Sequence, residues 1–128
     1  MALNTKYART PRPNGGSFEL FSWFFMRISG LLLAIIVSTH LIWMHYVIGL
    51  DNINFEVIAG RWTGPNGTFW RTYDLFLLLL GMFHGMNGVR FVVEDYIHSP
   101  GWRVLVKTLV GLLLFVMVVM GAYVLFSF

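Results

Sequence analysis

Three apolar stretches, each long enough to cross a bilayer, constrain the fold of this chain more than any other feature. They run over residues 18–49, 70–93 and 104–126. A bilayer core of roughly 30 Å needs about 20 helical residues to cross it. Of the 128 residues, 57% are hydrophobic and 12% are charged, and a soluble domain of this size cannot bury so much apolar surface. The sequence therefore predicts an all-α integral membrane protein with three transmembrane helices in one domain, 1–128.

The segments outside these stretches are polar and rich in turn-forming residues. Residues 1–17 are predicted to form a polar N-terminal arm. Residues 50–69 contain several Asn, Gly and Pro residues, which favour a loop between the first two helices. A shorter connection, residues 94–103, contains Ser99-Pro100-Gly101 and joins the second helix to the third.

The distribution of basic residues predicts the orientation in the membrane. Seven lie on the side of the N-terminus and two lie on the opposite side. The first group is Lys6, Arg9, Arg12, Arg27, Arg90, Arg103 and Lys107, and the second is Arg61 and Arg71. Because cytoplasmic loops carry the excess of Lys and Arg, this asymmetry places the N-terminus in the cytoplasm and the C-terminus outside.

Composition excludes several classes of function. The chain has no cysteine, which rules out disulfides, thiolate metal sites and iron–sulfur ligation by this chain. The formal net charge of +3 follows from membrane topology and does not indicate nucleic-acid binding. There is no glycine-rich nucleotide loop, paired-carboxylate site or nucleophile with an adjacent base. We therefore expect an obligate subunit that completes no reaction alone, with its polar residues facing helices of another chain.

His84, inside the second stretch, is the strongest candidate for a functional residue. A histidine at that depth is costly and usually has a function. Gly81 and Gly88 share its helical face, and glycines there admit either a neighbouring helix or a flat ligand such as a porphyrin edge. A neutral imidazole is a common axial ligand of haem iron, and Asn87 and Arg90 could contact haem propionates. The alternative is a helix-packing face on which His84 is hydrogen-bonded to a neighbour.

A second polar pair, Asp95 and Tyr96, lies at the membrane edge. It is about 18 Å from His84 along a helix that rises about 1.5 Å per residue. A tyrosine hydroxyl there could donate to a quinone carbonyl, with the carboxylate tuning it or passing protons. The alternative is that both residues anchor the helix end. Arg27, in the first stretch, either extends to lipid phosphate or reaches a propionate or quinone.

The remaining histidines differ in depth. His40 lies near the middle of the membrane, where an idle histidine is costly, whereas His45 lies near the outer surface. We therefore favour His40 as a candidate second axial ligand, although small residues on the face of His45 favour that residue. His98, beside Ser99-Pro100, is expected to be solvated.

Taken together, these residues make the chain resemble the hydrophobic membrane-anchor subunit of succinate dehydrogenase (succinate:quinone oxidoreductase), of the D-subunit type. The matching residues are Met26-Arg27-Ile28-Ser29-Gly30, His40, Asn54-Phe55 through Arg61-Trp62, Phe69-Trp70, Asp74, and His84-Gly85-x-x-Gly88-x-Arg90 followed by Asp95-Tyr96. The twelve-position spacing from His84 to Tyr96 is the most specific of these features.

The resemblance implies a multi-pass subunit of the cell inner (plasma) membrane, in a complex whose soluble subunits dock on the cytoplasmic side. Its partners would be a second anchor subunit of the C type, an iron–sulfur subunit and a flavoprotein with covalent FAD. Succinate would be oxidised to fumarate in the flavoprotein, and electrons would pass through iron–sulfur clusters to quinone.

The resemblance also implies residue roles. His84 would be an axial ligand of haem b, with the opposite ligand from the second anchor, and Tyr96 and Asp95 would line the quinone site. Arg27 matches the family's first-helix arginine near propionates or quinone. Some relatives hold two stacked haems, and because His40 is present we predict two haems.

Three alternatives remain open. A fumarate reductase anchor has the same architecture with electron flow reversed. A stand-alone b-type electron carrier would usually need more histidines on paired helices. A structural assembly subunit would bind no cofactor.

Overall fold

The computed structural model describes residues 16–128, and all of them fold as helices and short connections without a β-strand. Four α-helices follow one another: α1 (Ser17–Ile42), α2 (Phe55–Thr63), α3 (Gly67–Tyr96) and α4 (Pro100–Phe126). The prediction of an all-α chain is confirmed. Most of the predicted N-terminal arm, including Lys6, Arg9 and Arg12, lies outside the described residues.

Three of these elements are long and apolar enough to cross a membrane, as predicted. The first includes α1, a π-helical segment at Trp43–Gly49 and a 3₁₀ turn at Leu50–Asn52, so it forms one span over Ser17–Asn52. The other two are α3 and α4, of 30 and 27 residues. Each begins or ends a few residues beyond its apolar stretch because polar residues continue the helix toward the headgroup region.

The prediction of a continuous loop over residues 50–69 is wrong for α2. Asn54 caps this helix, and its Oδ1 accepts a hydrogen bond of 2.9 Å from the backbone N–H of Val57. Phe55, Ile58 and Trp62 follow at the three- and four-residue spacing of one helical face. An Asn directly before such a pattern is a helix-start signal, and it outweighs the turn-forming residues on either side.

The helices form an open row. α3 packs against α1 on one side and α4 on the other, and α2 folds back against α3, whereas α1 and α4 share no substantial contact. Within the described residues only Val93 and Leu125 are buried apolar side chains. The many exposed apolar side chains must therefore be covered by lipid or by other polypeptides.

The turn from α2 into α3 depends on Gly67. A Cβ atom built on this residue would overlap the backbone carbonyl of Trp62, so the close approach of the two helices requires glycine. Gly60, in the middle of α2, has open space around its Cα.

We predict that Gly67→Ala destabilises the chain by about 1–3 kcal/mol, the usual cost of overpacking a close contact. Gly60→Ala is the matched control, and it should be neutral or stabilising by up to about 1 kcal/mol because alanine favours helix. Thermal unfolding of the detergent-solubilised protein measures both. Equal midpoints for the two variants would contradict the role given to Gly67.

Candidate functional site

His84 is held against α1. Its Nδ1 lies 2.7 Å from the Oγ of Ser29, a side chain that is only 1% exposed. Its Cε1 lies 3.4 Å from where a Cβ of Gly30 would be. The other ring nitrogen, Nε2, has no hydrogen-bond partner among the described residues and is not enclosed. One nitrogen of the imidazole therefore faces α1 and the other is free.

The glycines beside His84 also face α1. Cβ atoms on Gly81 and Gly88 would lie 4.0 and 3.9 Å from side-chain atoms of Leu33 and Met26. The space that these glycines leave is therefore filled by α1, which is the helix-packing alternative for this face. His84 therefore packs against α1 and still has one ring nitrogen without a partner among the described residues.

Toward the start of α1, the contact between α1 and α3 continues as a polar network. Ser22, 4% exposed, donates a 2.9 Å hydrogen bond to Oδ1 of Asn87. Arg90 donates to the same oxygen at 3.1 Å, to Ser22 at 3.1 Å, and to Glu19 at 3.0 and 3.4 Å. These residues, with Ser29 and His84, are here called the α1–α3 seam. The expectation that such polar residues face another chain is therefore wrong for the seam, which pairs within the chain.

The three predicted propionate contacts lie in different surroundings. Arg90 is already paired with Glu19. Asn87 keeps a buried Nδ2 with no partner. Arg27 is exposed, its guanidinium lies 3.6 Å from the ring centre of Trp23, and it has no carboxylate partner among the described residues. Arg27 and the Asn87 amide are therefore the donors that remain available.

A largely apolar cavity of about 490 Å³ lies between α1 and α3 at this end of the seam. Its lining residues are Phe18, Phe21, Ser22, Phe25, Phe83, Met86, Asn87 and Arg90. Asn87 and Arg90 therefore border an aromatic cavity close to His84.

Asp95 and Tyr96 are the last two residues of α3. Tyr96 is 79% exposed, and neither side chain makes a hydrogen bond to another described residue. Since α3 runs unbroken from His84 to Tyr96, the two are separated by about 18 Å along the helix axis. His98 is exposed in the connection to α4, as expected for a solvated residue.

A second polar cluster lies at the opposite end of the membrane-spanning region. Asp74 Oδ2 accepts hydrogen bonds from Arg61 and, at 2.7 Å, from Trp62 Nε1. Nδ1 of His40 faces Asp74 Oδ1 at 3.7 Å. The buried atoms His40 Nδ1, Asp74 Oδ1 and Arg61 Nε have no hydrogen-bond partner. We call these four residues the His40–Asp74 cluster.

A cavity of about 540 Å³, lined by residues of all four helices, borders this cluster. The ring of His40 also stacks on the ring of Tyr73. The Tyr73 hydroxyl donates a 2.6 Å hydrogen bond to the backbone carbonyl of Ile36. His45 instead lies exposed in the π-helical segment, with its ring against Tyr46. His40, and not His45, therefore lies beside a carboxylate.

The sequence assigned no site role to Arg61 or Asp74. The signal that could have found them is Asp74, a carboxylate four residues into the second apolar stretch, where it needs a cationic partner. Arg61 becomes the partner of Asp74 because α2 forms a helix, which the sequence did not predict.

We predict that Arg61→Met lowers the free energy of unfolding by about 3–5 kcal/mol, since it leaves the Asp74 carboxylate buried without its cation. The side chains of Arg61 and Asp74 are 8% and 11% exposed. Adding Asp74→Asn should recover much of the loss. Lys107→Gln, which breaks the more exposed pair with Glu94, is the control and should cost less than about 1 kcal/mol. Similar losses in thermal unfolding for Arg61→Met and Lys107→Gln would contradict the prediction.

Comparison with known proteins gives one family. The model of the succinate dehydrogenase/fumarate reductase transmembrane subunit matches residues 12–120, a range that includes the seam and the His40–Asp74 cluster. No curated protein matches the chain.

Proposed function

The chain belongs to the family of succinate dehydrogenase/fumarate reductase transmembrane subunits, and on that basis we propose that it anchors a succinate dehydrogenase in the membrane. In this role it binds haem b through His84 and contributes Tyr96 and Asp95 to the site where quinone is reduced. It is not catalytic alone, because succinate oxidation belongs to the soluble subunits of such a complex.

The observation that carries the proposal is the arrangement of the His84 imidazole. Metal-bound histidines usually direct one ring nitrogen to the metal and hydrogen-bond the other to the protein. Here Nδ1 is bonded to Ser29 and Nε2 is free. An unpaired histidine nitrogen within a membrane span is otherwise costly. The donor type and the free nitrogen both fit haem iron, and a second anchor subunit would supply the other protein ligand.

When bound, haem supplies a one-electron redox centre. The residues of this chain would hold it and balance its charge. His84 would ligate the iron, and Arg27 and Asn87 have donors available for propionates. Arg90 would first have to release Glu19, so among the three proposed contacts it is the one with a competing carboxylate.

The quinone contact is proposed at the end of α3. The exposed Tyr96 hydroxyl is a hydrogen-bond donor for a quinone carbonyl, and Asp95 beside it can relay a proton. With the N-terminus in the cytoplasm, as the basic residues predict, this end of α3 lies at the cytoplasmic face. An iron–sulfur subunit docked there would reach the quinone.

The open row of helices supports an obligate subunit in place of a stand-alone electron carrier. Because α1 and α4 do not close around α3, the chain leaves apolar surfaces for a second anchor subunit and lipid. A flavoprotein and the iron–sulfur subunit complete the proposed complex in the inner (plasma) membrane. A fumarate reductase anchor is the alternative function, and it would use the same residues with electron flow reversed.

We also propose a second haem at His40. Its Nδ1 faces the Asp74 carboxylate, and its Nε2 has no partner among the described residues. A carboxylate behind a histidine is a common arrangement around metal ligands.

We predict that His84→Ala removes one of the two proposed haems from the purified complex, because the residue that would hold its iron is gone, and leaves the haem proposed at His40. His45→Ala is the matched control, and it should keep the wild-type spectrum. A pyridine haemochrome assay should give two haems per flavin in the wild type and fewer after His40→Ala. Unchanged absorbance after His84→Ala would contradict haem ligation, and one haem per flavin in the wild type would contradict the second haem.

We predict that Tyr96→Phe lowers quinone reduction about tenfold, the effect of losing one hydrogen bond of roughly 1.4 kcal/mol. Succinate oxidation with an artificial dye should be unchanged. Tyr46→Phe is the control, because Tyr46 is similarly exposed, at 77%, but lies in the π-helical segment that follows α1. If Tyr96→Phe lowers both activities equally, or leaves both unchanged, the result counts against this quinone site.

A further inference from the structure

We infer that Ser29 is a positioning residue that fixes the tautomer and the orientation of His84. The inference deepens the proposed function and rests on it, because it concerns how the proposed axial ligand is prepared. It is carried by the hydrogen bonds around a single hydroxyl group.

The Ser29 hydroxyl has one proton, and that proton is already used. Ser29 donates it to the backbone carbonyl of Phe25, one turn earlier on α1. A carbonyl oxygen has no proton to give, so the hydrogen bond to Phe25 requires the serine proton. Towards His84, Ser29 therefore can act only as an acceptor.

The proton between Ser29 and His84 must then come from the imidazole. In a neutral imidazole one nitrogen carries hydrogen and the other carries a lone pair. Because Nδ1–H donates to Ser29 over 2.7 Å, Nε2 holds the lone pair. This is the tautomer that an Nε2-bound metal requires, and it exists before any metal arrives.

The surroundings keep this arrangement in place. Ser29 is 1% exposed, so water does not compete for its oxygen. Gly30 lies against the Cε1 edge of the His84 ring. Of the α1 residues, Ser29 alone hydrogen-bonds His84, whereas the other buried serine, Ser22, bonds Asn87 and Arg90.

The expected consequence is a shift in redox potential. A hydrogen bond from Nδ1–H to an acceptor raises the basicity of a ligating imidazole, and a more basic ligand favours ferric over ferrous iron. Removing the acceptor should therefore raise the haem midpoint potential. Each tenfold loss of ferric preference corresponds to about 59 mV for a one-electron couple.

The test compares four variants of the purified complex: Ser29→Ala, Ser29→Cys, Ser29→Thr and Ser127→Ala. The readouts are redox titration of the haem proposed at His84 and low-temperature electron paramagnetic resonance of its ferric form. We expect Ser29→Ala to raise the potential and change the ferric signal. Ser29→Thr keeps a hydroxyl and should resemble the wild type. Ser127→Ala removes a serine that also donates to the carbonyl one turn earlier but lies at the end of α4, outside the seam, and it should resemble the wild type too.

The outcomes separate the inference from the proposed function. If Ser29→Ala does not assemble, Ser29→Cys replaces it, since a thiol is a weak acceptor and should shift the potential in the same direction. A wild-type potential and signal in the assembled Ala or Cys variant, or the same shift in Ser127→Ala, overturns the inference alone. An unchanged haem content after His84→Ala overturns the proposed haem ligation instead.

Discussion

The hydrogen bonds of the α1–α3 seam are the interactions on which the rest of this structure depends. Within a membrane no hydrophobic force drives one apolar helix against another, so packing and interhelical hydrogen bonds determine which faces meet. Each such bond contributes about 0.6–1.7 kcal/mol. Ser22 and Ser29, seven residues apart on one face of α1, bind Asn87 and His84, three residues apart on α3. The seam therefore fixes the register of the two helices and, with it, the direction of the imidazole.

The same arrangement explains why the chain requires other subunits. α3 uses one side for the seam and the other for α4, and α2 covers only the end near Asp74. What remains is an open row with exposed apolar surfaces and a histidine nitrogen without a partner among the described residues. A second anchor subunit that packs here would cover both the apolar surfaces and this nitrogen.

Much of the fold could be predicted from the sequence, because length and hydropathy alone determine membrane-spanning helices. His84, Asn87 and Arg90 could be placed on α3 by periodicity. Their hydrogen-bond partners could not be predicted. Ser29 and His84 are 55 positions apart in the sequence, and their hydrogen bond depends on how α1 packs against α3. The same limit applied to Arg61 and Asp74, which meet only because the missed helix α2 turns back on α3. From the sequence, the glycines beside His84 could make room either for a neighbouring helix or for a flat ligand. Their contacts with Leu33 and Met26 favour helix packing.

The central claim is that His84 presents Nε2 to a haem while Ser29 holds Nδ1. A cryo-electron microscopy map of the assembled complex, at a resolution that shows side chains, tests this most directly. We predict planar macrocycle density with its iron within bonding distance of His84 Nε2, and Ser29 in contact with Nδ1. A map in which Nε2 faces lipid or bonds another protein group, with no macrocycle beside it, would contradict the claim.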